Sequence, residues 1–345
     1  SGESLRYSAS LVVNCAGAWA DRVNQFIGID QPLMGGTRGS HLVLARPDLA
    51  KELGDVMLYF EASDHRACLV YALNKRNVLL GTTDIRSDDP DDRKCTSEEI
   101  DYLCRVLERI MPGAHVTPED IALAYSGVRP LPKTDKGSNG AISRGHAIHV
   151  FEPEPSRPIP VITLVGGKWT TYRACAAQIV DLILERLGHT RIVDTADLKI
   201  GGGQGFPKNM SLLEQQARSY SERCRLPVQR MTGLLERYGS NAPVIAAFLG
   251  ENGDTPIAGA ENYSSQEIEW LVRHERVTRL EDVILRRTLI AFEHLAFKGT
   301  IVEIGTICGS VLDWSPAKVA EEIDRTMTLL SGRHLVPMEQ RNRRS

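Results

Sequence analysis

Three cations and one strand–glycine–helix junction are the residues whose spacing suggests chemistry. Val161–Val165 is an apolar, β-branched run, the pattern of a buried strand. Gly166-Gly167 interrupts it, and Thr170-Thr171 stand where a hydroxyl could cap a helix. From Tyr172 the apolar positions recur at helical spacing through Cys175, Ile179 and Ile183 to Leu187, with Gly188 as the stop. A strand end, two glycines and a helix start bring free backbone N–H groups and a positive dipole end to one point. Lys168 adds a full charge there. Upstream, Arg129 in YSGVRPL (Tyr125–Leu131) and Arg144 in ISRG (Ile142–Gly145) sit in or beside loops next to strands. An arginine fork pairs two anionic oxygens at once. Together these residues suit an anionic ligand, or one that becomes anionic as it reacts.

The elements that must hold them can be read around this stretch. Ser10–Cys15 predicts a strand, and the small residues Ala16-Gly17-Ala18 make a turn that a backbone or cofactor can approach closely. A short helix is predicted from Trp19 to about Ile27. Arg38-Gly39-Ser40-His41 leads into a strand over Leu42–Ala45. Met57–Phe60, Ala67–Ala72 and Asn77–Gly81 read as successive antiparallel strands. Thr96-x-x-Glu99 is a capping box before a helix with Ile100, Leu103, Cys104, Leu107 and Ile110 on one face. Ile121–Tyr125 is the strand that delivers Arg129. Lys133–Gly140 reads as an exposed loop, and Ile148–Phe151 as a short strand. Gly201–Gly205 lacks the G-x-G-x-x-G spacing and is followed by Pro207, so it reads as a linker. Beyond it the pattern turns helical: Ser211–Cys224, Val228–Tyr238, Pro243–Leu249, Ser265–Glu275, Leu280–Ala296 and Pro316–Leu330. The expectation is an α/β (α+β) part over residues 1–200, with a mostly antiparallel sheet, followed by an all-helical domain over residues 205–335 whose core is local and carries no chemistry.

The 345 residues are enough for about two domains. A net charge of −3 excludes a strongly basic nucleic-acid binder; the exception is the short tail with Arg341, Arg343 and Arg344. The 7 cysteines are scattered without a C-x-x-C pair and read as reduced core thiols of a cytosolic protein, with no metal site. No apolar run reaches the length of about 18 residues that a transmembrane helix needs.

VRPL, then Arg144, then GGKWTTYR, in this order and spacing, resembles the FAD-dependent glycerol-3-phosphate dehydrogenases. VVNCAGAWAD (Val12–Asp21), RGSH (Arg38–His41), LLGTTD (Leu79–Asp84) and HERVTRLEDVILRRT (His274–Thr288) extend the likeness over nearly the whole chain. The family's G-x-G-x-x-G unit for the ADP half of FAD is not found. The chain therefore reads as the C-terminal portion of such an enzyme, and alone is expected to hold FAD poorly and to be inactive.

The resemblance implies oxidation of sn-glycerol 3-phosphate to dihydroxyacetone phosphate, with electrons passed to quinone at the cytoplasmic face of a membrane. It admits a homodimer. It places Arg38, His41, Arg129, Arg144 and Lys168 at the substrate. It places Ala16, Gly17, Gly167, Lys168, Trp169 and Thr170 at the flavin. His41 is the natural base for the C2 hydroxyl proton; Arg129 could instead stabilise the alkoxide. After VRPL the run Pro132-Lys133-Thr134-Asp135 departs from the acidic run of many bacterial members. That departure keeps open an erythritol-phosphate dehydrogenase or an oxidase using oxygen. A non-catalytic interaction module is the reading from a different class.

Overall fold

The computed structural model describes residues 4–134 and 142–339. The loop over Lys133–Gly140 lies outside these residues from 135 onward, as do Asp135 and the tail arginines 341, 343 and 344. In chain order the first half runs β1 (Val12–Asn14), α1 (Ala20–Phe26), β2 (Thr37–Leu44), α2 (Pro47–Leu53), β3 (Leu58–Glu61), β4 (Ala67–Ala72), β5 (Val78–Gly81), β6 (Ile85–Arg86), α3 (Ser97–Ile110), β7 (Ile121–Arg129), β8 (His146–Phe151), β9 (Val161–Gly166) and α4 (Tyr172–Arg186). The second half runs α5 (Met210–Cys224), α6 (Val228–Tyr238), α7 (Ala242–Asn252), the hairpin β10 (Pro256–Ile257) and β11 (Ala260–Ser264), α8 (Ser265–His274), the single turn α9 (Leu280–Asp282), α10 (Lys298–Val311) and α11 (Pro316–His334). No described helix is long and apolar enough to cross a membrane.

Two sheets organise the first half. The smaller has the order β1-β9-β8, with β1 parallel and β8 antiparallel to β9. The larger is antiparallel, β3-β4-β5-β2, with β6 continuing beside β2 and β7 on the other side of β2. The predicted hairpins are present, but β2 starts at Thr37, five residues before the predicted strand. Its early residues TRGSH carry no apolar alternation, so only their pairing with β7, β6 and β5 reveals them.

Successive side chains of a strand point to opposite faces, and β2 divides accordingly. Arg38, Ser40, Leu42 and Leu44 face α3; Leu42 and Leu44 share a core with Val70, Leu80, Leu103 and Leu107. Thr37, Gly39, His41 and Val43 face the helices of the second half. There Val43, Leu79, Ala122 and Leu123 belong to one continuous core with Leu271, Val283, Ile284, Ile301, Ile304 and Cys308. The expected local core of the helical half is therefore corrected. Only α5, α6 and α7 have a cluster of their own, and the rest close over the sheet.

Two other expectations change. Leu280–Ala296 is not one helix: α9 passes into a π-helical stretch, Val283–Arg287, and ends where the Thr288 hydroxyl donates to the Val283 carbonyl at 2.7 Å. α10 has no counterpart among the predicted helices. Its glycines and β-branched residues argue against a helix by propensity, and tertiary packing overrides them. A Cβ on Gly305 would stand 2.6 Å from Ile323 Cγ1, and one on Gly309 2.4 Å from Val319 Cγ2. Those two glycines let α10 and α11 approach at backbone distance.

Candidate active site

The site is built on the paired strands β2 and β7. Their register sets His41 opposite Tyr125, Gly39 opposite Gly127 and Thr37 opposite Arg129. All six lie on one face, so the two glycines form a bare row between the imidazole and the guanidinium. A Cβ at Gly39 would fall 2.0 Å from Arg129 Nη2, because the guanidinium folds over that glycine. A Cβ at Gly81 on β5 would fall 2.1 Å from His41 Cδ2. No atom of the described residues lies within 4 Å of the Cβ position of Gly127. Gly39 and Gly81 were not among the residues expected to matter. Their signal is only that each registers beside a chemically useful residue.

Arg129 is held firmly. Nη1 donates to Thr37 Oγ1 at 3.4 Å and Asp84 Oδ1 at 3.2 Å; Nη2 donates to Thr82 Oγ1 at 2.9 Å and the Thr83 carbonyl at 3.2 Å. The four N–H groups of its two terminal nitrogens thus each have an acceptor within the protein. Burial pulls its pKa below the ordinary arginine value, Asp84 opposes that, and the nearby Arg144 adds to it; an arginine remains charged regardless. Arg129 and Arg144, 15 positions apart in the sequence, are therefore electrostatic neighbours in space.

His41 is pulled from 6.5 to about 4, first by burial and then by the positive field of Arg129. The ring is neutral through the neutral range. Its Nδ1 is buried and has no hydrogen-bond partner among the described residues. Tyr125 stacks on it, centroids 5.0 Å apart and planes within 5°, and Phe292 of the helical half packs against Tyr125 at 5.5 Å. Phe292 is a packing contact from the helical half, in keeping with the expectation that this half carries no chemistry of its own.

Arg38 does not join this group. It lies on the α3 face, 8% exposed, where Nη1 donates to Asp92 at 2.5 Å and Nη2 to Glu99 at 2.9 Å. Glu99, the predicted capping-box residue, also accepts from the Ser40 and Thr83 hydroxyls at 2.8 and 2.6 Å. An anion cannot reach Arg38 without breaking a buried ion pair, which leaves this residue a role in tying β2 to α3.

The glycine junction approaches from the second sheet. Gly166 (φ +78°) pairs with His146, and a Cβ on it would meet the Gly145 carbonyl oxygen at 2.4 Å. Glycine is required there on both counts. The contact sets Gly167 and Lys168 near the segment that carries Arg144. Lys168, Trp169 and Thr170 are exposed, as is Arg144. The Thr170 and Thr171 hydroxyls do not cap α4: a 3-10 turn (Trp169–Thr171) comes first, and Thr171 donates to the Lys168 carbonyl instead. At the other junction, Gly17 has φ +60° and open space at its Cβ position. Buried Asn14 fixes that turn, donating to the Ala20 carbonyl at 2.8 Å and to Asn24 Oδ1 at 2.7 Å and accepting from the Ala16 N–H at 3.0 Å. No group of three or more metal-ligating side chains occurs among the described residues.

Comparison with known proteins follows this geometry. Residues 1–173 match the family model described as FAD dependent oxidoreductase, and residues 193–319 match that of the C-terminal domain of alpha-glycerophosphate oxidase. The chain is 32% identical to a glycerol-3-phosphate dehydrogenase of Synechocystis over 308 residues, covering 84% of this chain and 53% of that protein. It is 28% identical to the aerobic glycerol-3-phosphate dehydrogenase of Escherichia coli, covering 83% and 56%. Against the alpha-glycerophosphate oxidase of Lactococcus lactis it is 26% identical, covering 92% and 61%. The chain thus spans little more than half the length of these relatives. The FAD complex of a glycerol-3-phosphate dehydrogenase from Bacillus halodurans shares the fold, with a TM-score of 0.75 at 22% identity over 96% of this chain and 64% of that one.

Proposed function

Because the chain belongs to the FAD-dependent oxidoreductase family, we propose that it supplies the substrate face and the flavin-ring face of an enzyme that oxidises sn-glycerol 3-phosphate to dihydroxyacetone phosphate and passes electrons to quinone. The observation that carries the reading is the pairing of a neutral, half-buried imidazole with a fixed guanidinium across the paired glycines Gly39 and Gly127. FAD supplies the hydride acceptor. The residues suited to its ring are the Ala16-Gly17 turn, open above Gly17, and Gly167 with Lys168, Trp169 and Thr170, where Gly167 has φ +103° and no atom closer than 3.8 Å to its Cβ position. Backbone N–H groups there and the Lys168 charge favour negative charge on a ring.

In this reading the exposed Arg144 and Lys168 bind the phosphate and guide it in. Arg129, its fork already occupied, acts through its charge and its remaining Nε–H. His41 accepts the C2 hydroxyl proton. The enzyme would work at the cytoplasmic face of a membrane, where quinone is available, and would tolerate assembly as a homodimer. An oxidase using oxygen is the second reading, supported by the match to the C-terminal domain of alpha-glycerophosphate oxidase.

Anaerobic addition of glycerol 3-phosphate to the FAD-loaded enzyme should bleach the flavin, and glycerol at the same concentration should not. Bleaching by no polyol phosphate would end the proposal. Reoxidation by a quinone analogue faster than by air selects the dehydrogenase. Substitution of the glycines should test the site. Gly81→Ala and Gly39→Ala collide with the His41 ring and the Arg129 guanidinium rather than with backbone; Gly39→Ala, which disturbs the bonds of Arg129 to Asp84, Thr82 and Thr83, should also lower the thermal midpoint. Displacing the imidazole or the guanidinium by an ångström should slow flavin reduction by up to about 10²-fold. Wild-type rates in both variants would contradict the site.

A further inference from the structure

A catalytic imidazole is ordinarily oriented by a hydrogen bond from its second ring nitrogen to a carboxylate or carbonyl. His41 has no such orienter among the described residues: Nδ1 is buried and none of them pairs with it. What fixes the ring is aromatic. Tyr125 lies nearly parallel to it on one side, and the missing side chain of Gly81 makes room on the other. Tyr125 is itself backed by Phe292, tilted by 59°. The backbone at Phe292 is anchored, since the Asn77 side chain donates to its carbonyl at 3.2 Å and the preceding Ile290 and Ala291 are fully buried in the shared core.

We propose that Tyr125 and Phe292 are positioning residues for His41, so that the helical half of the chain sets the plane of the imidazole through two stacked rings. The proposal rests on the reading of His41 as proton acceptor. The Tyr125 ring, not its hydroxyl, does the positioning. Among the described residues the charged group felt by the imidazole is Arg129 on β7, itself paired with Asp84; Tyr125 stacks on the ring and Tyr71 on β4 faces Tyr125; Phe292 brings no charge. His334, at the end of α11, binds the Ala124 carbonyl at 3.0 Å on the same strand.

The test uses Tyr125→Phe, Tyr125→Leu and Phe292→Leu in the FAD-loaded enzyme, with three readouts: flavin reduction rate, substrate Kd, and titration of the His41 ring by nitrogen NMR. Tyr125→Phe should match the wild type in all three. Tyr125→Leu should lower the reduction rate about 10-fold or more, a fraction of what misplacement can cost, with Kd nearly unchanged. It should also raise the His41 titration point toward 6.5, because water then reaches the ring. Phe292→Leu should move rate and titration the same way by less. An unchanged rate and titration in Tyr125→Leu overturns the proposal. Where that variant fails to fold, unchanged values in Phe292→Leu do so. A shifted titration with an unchanged rate also overturns it, since Tyr125 then only shields the ring from water.

Discussion

Replacing His41 by glutamine is expected to slow anaerobic flavin reduction by about 10²–10⁴-fold, the usual contribution of a general base, with substrate binding almost unchanged. The pH profile gives the sharper check. A native imidazole that titrates at about 4 is deprotonated, hence competent, at every pH above that point. The rate should rise with pH through about 4 and show no further limb from this residue near 6.5. The glutamine variant should lack the limb. A wild-type limb centred near 6.5 would mean that the ring is hydrated rather than buried. Stability carries the same sign: unfolded chains take up a proton at His41 near 6.5 and the native protein refuses it down to about 4. The residue thus removes stability as pH falls through that window and has no such effect above it. So low a pKa makes His41 a weak base. In the proposed reaction Arg129, which helps depress it, would also stabilise a developing alkoxide. The two roles left open by the sequence are compatible, since one cation serves both.

Arg144→Ala should weaken substrate binding by about 10- to 150-fold, the equivalent of a charge-assisted contact of about 1.5–3 kcal/mol. Stability should not change, because the side chain is exposed. Arg129→Ala should weaken substrate use as well, but here stability falls. Asp84, whose side chain is 10% exposed, loses its ion pair with Arg129 but not its other contacts, and the hydrogen bonds of Arg129 to Thr37, Thr82 and Thr83 go too, each bond contributing about 0.5–1.5 kcal/mol. Denaturant midpoints beside Michaelis constants distinguish the two arginines. Wild-type constants in both variants would remove the anion site, and an unshifted midpoint in Arg129→Ala would show that Asp84 does not depend on it.

The sequence made the regular elements legible where local signals were strong. The capping box at Thr96, the hairpins from Met57 to Gly81 and the β-branched run at Val161 are carried by turn chemistry and alternation. It failed where long-range packing decides. α10 is helical despite three glycines because α11 lies against two of them. The Leu280–Ala296 periodicity continues past the point where Thr288 ends the turn. In the site, His41, Arg129 and Arg144 were visible as residue types. The face each strand residue occupies was not, and Arg38, three positions before His41, points the other way. A one-residue alternation is enough for that, and a four-residue motif cannot reveal it until the start of the strand is known. Phe292 was invisible for a similar reason: an isolated phenylalanine, 167 positions beyond Tyr125, carries no local signal of a contact.

The core that the large sheet shares with α8, α10 and the Val283–Arg287 stretch changes how variation in this protein must be inherited. Ile304 and Cys308 lie in the same core as Val43 and Leu123, the strand neighbours two positions from His41 and Tyr125. A substitution in the helices therefore reaches the imidazole through packing, without touching a ligand. On the proposed function, drift in the helical half would be filtered by catalysis as well as by folding. Strands β2 and β7 could not be transplanted to another scaffold, by recombination or by design, without taking their helices along.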